Sequence, residues 1–336
     1  MKEEKILLSH GSGGKLSYNL TKDLFLTNFD NPYLKKLDDG AILNINGLKL
    51  AYTTDSYTVD PLFFNGGNIG ELAVYGTIND LAMCGAEPLY LSCSFIIEEG
   101  FPLSLLEKIV SSIKKASSVA QVDIVTGDTK VVNKGSADKI FINTSGIGII
   151  KEGINISGNN AQVGDLIIIN GPIGNHGIAV LSEREGLRFD TAIKSDTAPL
   201  SSLVSDMLEV SRDIHVLRDP TRGGLSTTLN EIALSSKVGI EIDEEKIPVE
   251  EEVKAACEIL GYDPLYLANE GKLVAFVSSE VAPEVLKKMR KNKYGKESKI
   301  IGRVTKKSEG IVYLHTTIGG KRIVDMLTGE QLPRIC

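Results

Sequence analysis

Apolar and polar positions along the first third of the chain follow two different periods. Residues 41–45 and 48–54 show the short period of strands, and Asn46-Gly47 between them is the residue pair of a tight hairpin turn. From 69 to 85 the pattern becomes helical. Pro102 opens a second helix, in which Leu105, Leu106, Ile109, Val110, Ile113 and Ala116 recur at helical spacing. Strands are predicted at 122–126 and 139–149. A second unit begins near Ala161, with a short buried strand at 165–170 and a Gly171-Pro172 break leading into a helix near Gly177. Helices at 200–212 and 223–236 follow, then a strand at 273–277, a helix at 282–292 and strands at 299–304 and 310–315. Strands and helices alternate in both halves, which predicts an α/β protein of two domains. The expected divisions are an N-terminal extension 1–37, a first domain 38–155, a second domain 156–327 and a polar tail 328–336.

Composition narrows the function classes. A chain of 336 residues is long enough for two ordinary cores. Its formal net charge of -7 argues against a nucleic-acid partner, because no basic stripe exists to neutralise phosphates. The same charge does not oppose a nucleotide site, which uses backbone amides and a metal ion. No charged-then-apolar leader and no bilayer-length apolar run is present, so no membrane association is expected and the cytoplasm is the expected compartment. The cysteines are Cys84, Cys93, Cys257 and Cys336, with no CxxC pair. The first three sit in apolar surroundings and read as reduced core thiols. Cys336 is the last residue of a polar tail and needs another explanation.

Candidate chemistry lies in aspartates and glycines. Asp38 and Asp39 precede the first strand, Asp55 follows Thr53-Thr54, Asp80 interrupts an apolar helix, and Asp128 follows Thr126-Gly127 after a strand. Carboxylates at neighbouring strand ends suit a hard cation such as Mg²⁺ together with substrate phosphates. The ordinary reading of each, taken singly, is a turn or helix-capping aspartate. Asp80 fits that reading least, and Gly76 one turn earlier suggests a face kept clear for a ligand. The segment His10 to Lys15 lacks P-loop spacing. In Asp219-Pro220-Thr221-Arg222-Gly223-Gly224-Leu225, two glycines opening a helix expose amides to an anion beside a fixed positive charge. The alternative is a plain loop-to-helix junction. Asn269-Glu270-Gly271-Lys272 reads equally as a turn, and His176, between glycines, as a structural histidine.

Together, the segments HGSGGK (10–15), DDGA (38–41), TTDS (53–56), the run at 63–92, EEGF (98–101), TGDTKVV (126–132), GPIGNHGIA (171–179), DPTRGGL (219–225), NEGK (269–272) and PRIC (333–336) resemble the aminoimidazole ribonucleotide synthetase, or PurM-like, superfamily of ATP-using enzymes. The PRIC end narrows the resemblance to the carbamoyl dehydratase family of hydrogenase maturation, HypE. Asn68 and Asn175 stand where aspartate is often expected.

That resemblance implies a two-domain PurM-like fold, forming a homodimer through the N-terminal sheets with ATP near the interface. It implies Mg²⁺ on Asp39, Asp55, Asp80 and Asp128, with Asp38 beside them. The implied nucleotide contacts are Gly13, Gly14, Lys15, Thr54, Asn79, Thr126, Gly127, Arg222, Gly223 and Gly224. Lys130 and Glu270 are the candidates for moving protons, and Cys336 for carrying the substrate group. The implied partners are a carbamoyltransferase, HypF, which loads Cys336, and an iron-carrying HypC–HypD complex, which takes cyanide onward for [NiFe] hydrogenase. The tail from Thr328 to Cys336 lacks apolar periodicity, so mobility is expected, with a reach of roughly 30 Å. Two other readings use the same residues: an ATP-dependent enzyme acting on a small diffusible amide or carbonyl compound, and a non-catalytic metallochaperone. One thiol without a spaced histidine or cysteine is a poor soft-metal site.

Overall fold

A computed structural model describes residues 5–187, 193–329 and 332–336. Residues 1–4 of the expected extension, and Glu330 and Gln331 of the expected tail, lie outside the described residues.

The N-terminal segment forms two short helices, α1 (Lys15–Leu20) and α2 (Leu26–Asn28), ahead of the first sheet. That sheet contains β1 (Ala41–Ile45), β2 (Leu48–Tyr57), β5 (Ala86–Glu98), β6 (Asp123–Val132) and β7 (Ile140–Ile150), in the order β1-β2-β7-β5-β6. A two-strand ribbon, β3 (Phe63–Phe64) and β4 (Gly67–Asn68), precedes helix α3 (Ile69–Met83), and α4 (Leu103–Ala120) follows β5. The predicted turn is present: Asn46 and Gly47 both have positive φ, as a twist-matched two-residue hairpin requires.

The second sheet has the order β14-β13-β10-β12-β8-β11-β9. Its strands are β8 (Leu166–Ile169), β9 (Ile214–Arg218), β10 (Gly239–Asp243), β11 (Val274–Val277), β12 (Lys299–Thr305), β13 (Val312–His315) and β14 (Lys321–Val324). The accompanying helices are α5 (Asn175–Glu185), α6 (Ser201–Val210), α7 (Gly224–Ser236), α8 (Glu251–Leu260) and α9 (Ala282–Met289). Each sheet contains one parallel pair, β5 with β6 and β10 with β13, and is otherwise antiparallel.

Among the elements with no counterpart in the sequence pattern, β5 matters most, because it is an interior strand between β7 and β6. Pro88 disguises it, since proline normally marks an edge. A break in register between Pro88 and Tyr90 accommodates the missing N–H.

Helix α3 positions the site. It is apolar on nearly every side, and nearly all its residues are buried. Such a helix must be enclosed on every face. It packs on β2, β5 and β7 below, on α4 beside it, and on α6 and β9 of the second domain. Asn68 starts it, accepting hydrogen bonds from the N–H groups of Gly70 and Glu71, so the residue standing where an aspartate was expected is a helix cap.

Candidate functional site

Side chains along a strand alternate between faces, and β2 uses that alternation to build half of the site. Thr53, Asp55 and Tyr57 face α3, while Tyr52, Thr54 and Ser56 face the open side of the sheet. Asp80 comes from α3, Asp39 from just before β1, and Asp219 from the end of β9. All four aspartates line one cavity of about 240 Å³, together with Thr53, Gly76, Thr221, Arg222, Glu270 and Cys336. Two distant segments therefore meet here, and the second domain closes what the first begins.

The acids are held by specific contacts. The Thr53 hydroxyl lies 2.8 Å from Asp80 Oδ2 and 2.9 Å from the Asp39 carbonyl. The Tyr57 hydroxyl is 3.2 Å from the Thr77 hydroxyl and 3.4 Å from Asp55 Oδ2. Arg218 places Nε 2.9 Å from Asp39 Oδ1, and its other nitrogens reach Glu231 and the Leu37 carbonyl. Burial drives the carboxyls of Asp39, Asp55 and Asp80 upward, and acidic neighbours add to this for Asp39 and Asp80. Arg218 opposes the rise at Asp39, and Arg222 opposes it at Asp55. Burial also carries Asp219 to about 6 against Arg218. Glu270 rises well above the ordinary range through burial and then Asp196, Asp219 and Asp55. Such a concentration of raised carboxyls in a cleft marks a place prepared for positive charge.

Among the described residues, no three His, Cys, Asp or Glu side chains form a ready-made metal cage. The donor set instead has the form that suits Mg²⁺, which binds through one or two carboxylates and completes its shell with water and substrate phosphates. A buried Asp39 Oδ2 without a hydrogen-bond partner is the free donor such an ion would use.

Several expected site residues lie elsewhere. Asp128 and Lys130 form an exposed ion pair with each other at 2.7 Å. In register, Asp55, Thr144, Cys93 and Gly127 share the face toward α3, so Asp128, one residue on, points to the open face. Two strands separate β2 from β6, and a single chain does not bring this pair to the acidic cluster. Thr126 lies on the same exposed strand. Gly127 is required there by packing, because a Cβ would stand 2.1 Å from the Cys93 carbonyl. Asp38 is a tie between domains: its oxygens accept from the Ser157 hydroxyl at 2.6 Å and the Gly158 N–H at 2.7 Å. Asn79 is fully buried and unavailable to a nucleotide. Its amide donates to the carbonyls of Ala198 and Glu270, and its oxygen accepts from the Leu200 N–H. Gly76, expected to clear a face for a ligand, clears it for Tyr57, whose hydroxyl a Cβ would meet at 2.3 Å.

The two glycine-rich segments do meet. Gly13 has φ +77°, and a Cβ there would approach the Arg222 carbonyl to 2.5 Å; a Cβ on Gly14 would stand 2.2 Å from the Leu327 carbonyl. The Lys15 N–H donates to that same Leu327 carbonyl. Gly223 and Gly224 are also left-handed and lead into α7. Arg222, exposed beside them, lies between this junction and the cavity.

The tail is docked, in contrast to the mobility its composition predicts. Ile335 is buried among Val180, Ala268 and Leu332. The Cys336 carbonyl accepts from the Thr58 N–H, the Ile335 carbonyl faces His176 Nε2, and the Arg334 carbonyl accepts from Arg184 and from the Asp60 N–H. Arg334 in turn donates to the Thr58 carbonyl and pairs with Asp138. Burial of Ile335 and five such hydrogen bonds contribute roughly 4–10 kcal/mol, against about 5–10 kcal/mol to order residues 332–336. The docked state is therefore poised. The tail is held mainly through its own backbone carbonyls, which carry no side-chain pattern, and this is why the sequence hides it. Inside the cavity, burial lifts the half-buried Cys336 thiol to about 12, with Arg222 pulling the other way.

Comparison with known proteins places this arrangement in a family. The model of AIR synthase related proteins matches in both parts, its N-terminal domain over residues 37–150 and its C-terminal domain over 162–315. The carbamoyl dehydratase HypE of Rhizobium leguminosarum bv. viciae is 54% identical over 333 residues, spanning 99% of this chain and 95% of the relative. The chain belongs to the HypE family. A crystal structure of HypE in complex with ATP superposes with a TM-score of 0.84 at 51% identity, over 99% of this chain and all of the other. A HypE–HypF complex gives 0.88 at 52% identity, over 92% and 99%.

Gly271 offers a test of how the second domain seats Glu270. A Cβ on Gly271 would lie 1.9 Å from the Asp196 carbonyl, and Asp196 Oδ1 accepts the Glu270 N–H at 3.0 Å. Gly271→Ala is expected to cost about 1–3 kcal/mol through overpacking, read as a lower denaturant midpoint. An unchanged midpoint would show that this loop yields freely.

Proposed function

We propose that the chain is an ATP-dependent dehydratase that converts an S-carbamoyl group on its own Cys336 into a thiocyanate. The observation that carries this reading is that Cys336 lines the same cavity as Asp39, Asp55, Asp80, Asp219, Arg222 and Glu270. The relatives named carbamoyl dehydratase HypE, and the HypE structure holding ATP, support it.

Removing water from S–C(=O)–NH₂ requires the oxygen to leave, and phosphorylation by ATP makes it a leaving group. Asp39, Asp55, Asp80 and Asp219 are the residues that would hold Mg²⁺, which when bound supplies charge neutralisation at the phosphates. Arg222 adds a fixed positive charge beside the substrate. Two N–H protons must also depart as the C≡N bond forms, and Glu270 is placed to accept one of them. The thiol sulfur keeps its bond to carbon throughout. Its high pKa is therefore no handicap, because here Cys336 is a carrier and not an attacking group.

The open face of the first sheet bears Tyr52, Tyr90 and Ile96 exposed, with Asp128 and Lys130 among them. Pairing two copies through this face would cover those apolar residues and offer Asp128 and Lys130 to the nucleotide of a second subunit. HypF as the donor of the carbamoyl group is supported by the HypE–HypF complex. An iron-carrying HypC–HypD acceptor and residence in the cytoplasm belong to the same reading; among the described residues, no helix is long and apolar enough to cross a membrane.

The test is intact mass before and after ATP is added to the Cys336-carbamoylated protein. A loss of the mass of one water is expected, and removal of Ile335 and Cys336 should abolish it. Full turnover of a free amide by the truncated protein would favour an enzyme for small diffusible substrates.

A further inference from the structure

His176 is absent from the chemistry above, yet it is fully buried and touches both sides of the site. Nε2 lies 2.8 Å from the Ile335 carbonyl and 3.9 Å from Glu270 Oε1. Nδ1 lies 2.8 Å from the Ser195 hydroxyl, which in turn is 2.7 Å from the Thr197 hydroxyl. A carbonyl can only accept, so Nε2 carries a proton, and in the neutral ring Nδ1 accepts from Ser195. The Ser195 oxygen then accepts from Thr197, and the hydrogen bonds run one way from Thr197 through Ser195 and His176 to the tail backbone. Phe64 packs edge-on against the ring at 5.4 Å and fixes its plane. Gly174 and Gly177 seat the helix start beneath it against Leu267, and the Gly177 N–H donates to the Ala268 carbonyl. Glu270 Oε1 is left buried with no hydrogen-bond partner while the tail is docked.

We propose that His176 is a positioning residue that registers the docked tail, holding the Ile335 carbonyl through Nε2–H so that the group on Cys336 lies against Glu270. The proposal rests on the reading of Cys336 as carrier and Glu270 as proton acceptor. One imidazole proton faces two acceptors, the tail carbonyl and the Glu270 carboxyl. With the tail in place it is committed to Ile335, and the Glu270 oxygen stays available for the substrate. With the tail out, the same proton is free to turn toward Glu270, so the site is competent only when its substrate has arrived. Burial holds the imidazole below its ordinary value, in keeping with a neutral ring that has one proton to give. Arg184 secures the tail two residues upstream and away from the cavity, so tail attachment and tail registration are divided between two side chains.

Two conservative variants separate the ring's bonds. His176→Asn keeps a polar atom near the Nδ1 position for Ser195 and loses the bond to Ile335. His176→Gln keeps a donor near the Nε2 position. Alkylation of Cys336 at constant pH by a small iodoacetamide reagent, with Cys336→Ser subtracting the other thiols, reports whether the tail is docked. His176→Asn is expected to raise the alkylation rate about tenfold, the equivalent of about 1.4 kcal/mol in the docking equilibrium, while His176→Gln stays within about threefold of the parent. Single-turnover water loss from the carbamoylated protein should slow in His176→Asn and recover in His176→Gln, with ATP affinity unchanged in both. Equal alkylation of His176→Asn and the parent overturns the proposal, as does an exposed thiol with undiminished water loss. If the parent itself loses no water, the carbamoyl reading fails, and the alkylation arm still decides whether His176 holds the tail.

Discussion

Asp80→Asn is expected to make the free protein more stable at pH 8 and to remove its activity. Asp80, half-buried on α3, faces Thr53 of β2, and burial together with Asp55, Asp219 and Asp39 lifts its carboxyl well above the ordinary range. The folded state therefore binds protons that the unfolded chain releases at about pH 4. Stability from such a group is full below that pH and is lost as pH rises through the folded-state value. Asp219, at about 6, contributes in the same direction. The metal-free protein should melt progressively lower between about pH 4 and pH 8 from this cluster. Asparagine keeps an oxygen to accept from Thr53 and removes the charge. At pH 8 the variant should melt a few degrees higher, with the gap closing toward pH 5. ATP with Mg²⁺ should raise the melting temperature of the parent more than that of the variant. Activity should fall by about 10²–10³, the loss typical of removing one charge-stabilising group from a site. A variant no more stable than the parent at pH 8 would show that the cluster carries no charge strain, and one that keeps its activity would remove Asp80 from the reaction.

Glu270→Gln is the second large effect. Burial, Asp196, Asp219 and Asp55 raise this carboxyl, with Arg222 opposing. A base whose pKa approaches the working pH serves better than one at about 4.3. The parent's rate should rise with pH along a limb centred above the ordinary carboxylate range, and the variant should lack that limb. Loss of a positioned base costs about 10²–10⁴ in rate. The fold should survive, because the structural contacts at this residue are made by its backbone: the carbonyl accepts from Asn79 and the N–H donates to Asp196. Carbamoylated protein should then accumulate, visible as a persistent mass, with ATP still bound. A rate within about threefold of the parent would remove Glu270 from the mechanism.

Much of this arrangement is readable along the chain where a residue breaks its local pattern. Asp80 in an apolar helix and the glycine pair after Arg222 each violate local preference; Asp80 lines the cavity, and the glycines form the junction beside it. Asp219 stands in the same quoted motif, and its conversion from a turn residue into a cavity wall depends on β9 ending beside α3. Asn79 broke the pattern as well, but its amide serves packing between domains. A polar residue in an apolar helix thus has two possible explanations, and only its partners distinguish them. β5 was hidden by Pro88, which normally marks a sheet edge.

By itself, the sequence determined the alternation of strands and helices, the hairpin at Asn46-Gly47, the all-round apolar α3 and the presence of a cysteine at the end of a polar tail. These follow from periods and residue preferences that act over a few positions. Only the tertiary structure decided that Asp128 and Lys130 face away from the other acids, since a shift of one residue along a strand reverses the face and the register is set by the neighbouring strands. It also decided that the tail lies docked with its thiol in the acidic cavity. That state depends on backbone carbonyls meeting His176, Arg184 and Thr58 from distant parts of the chain, and backbone groups leave no mark in a sequence.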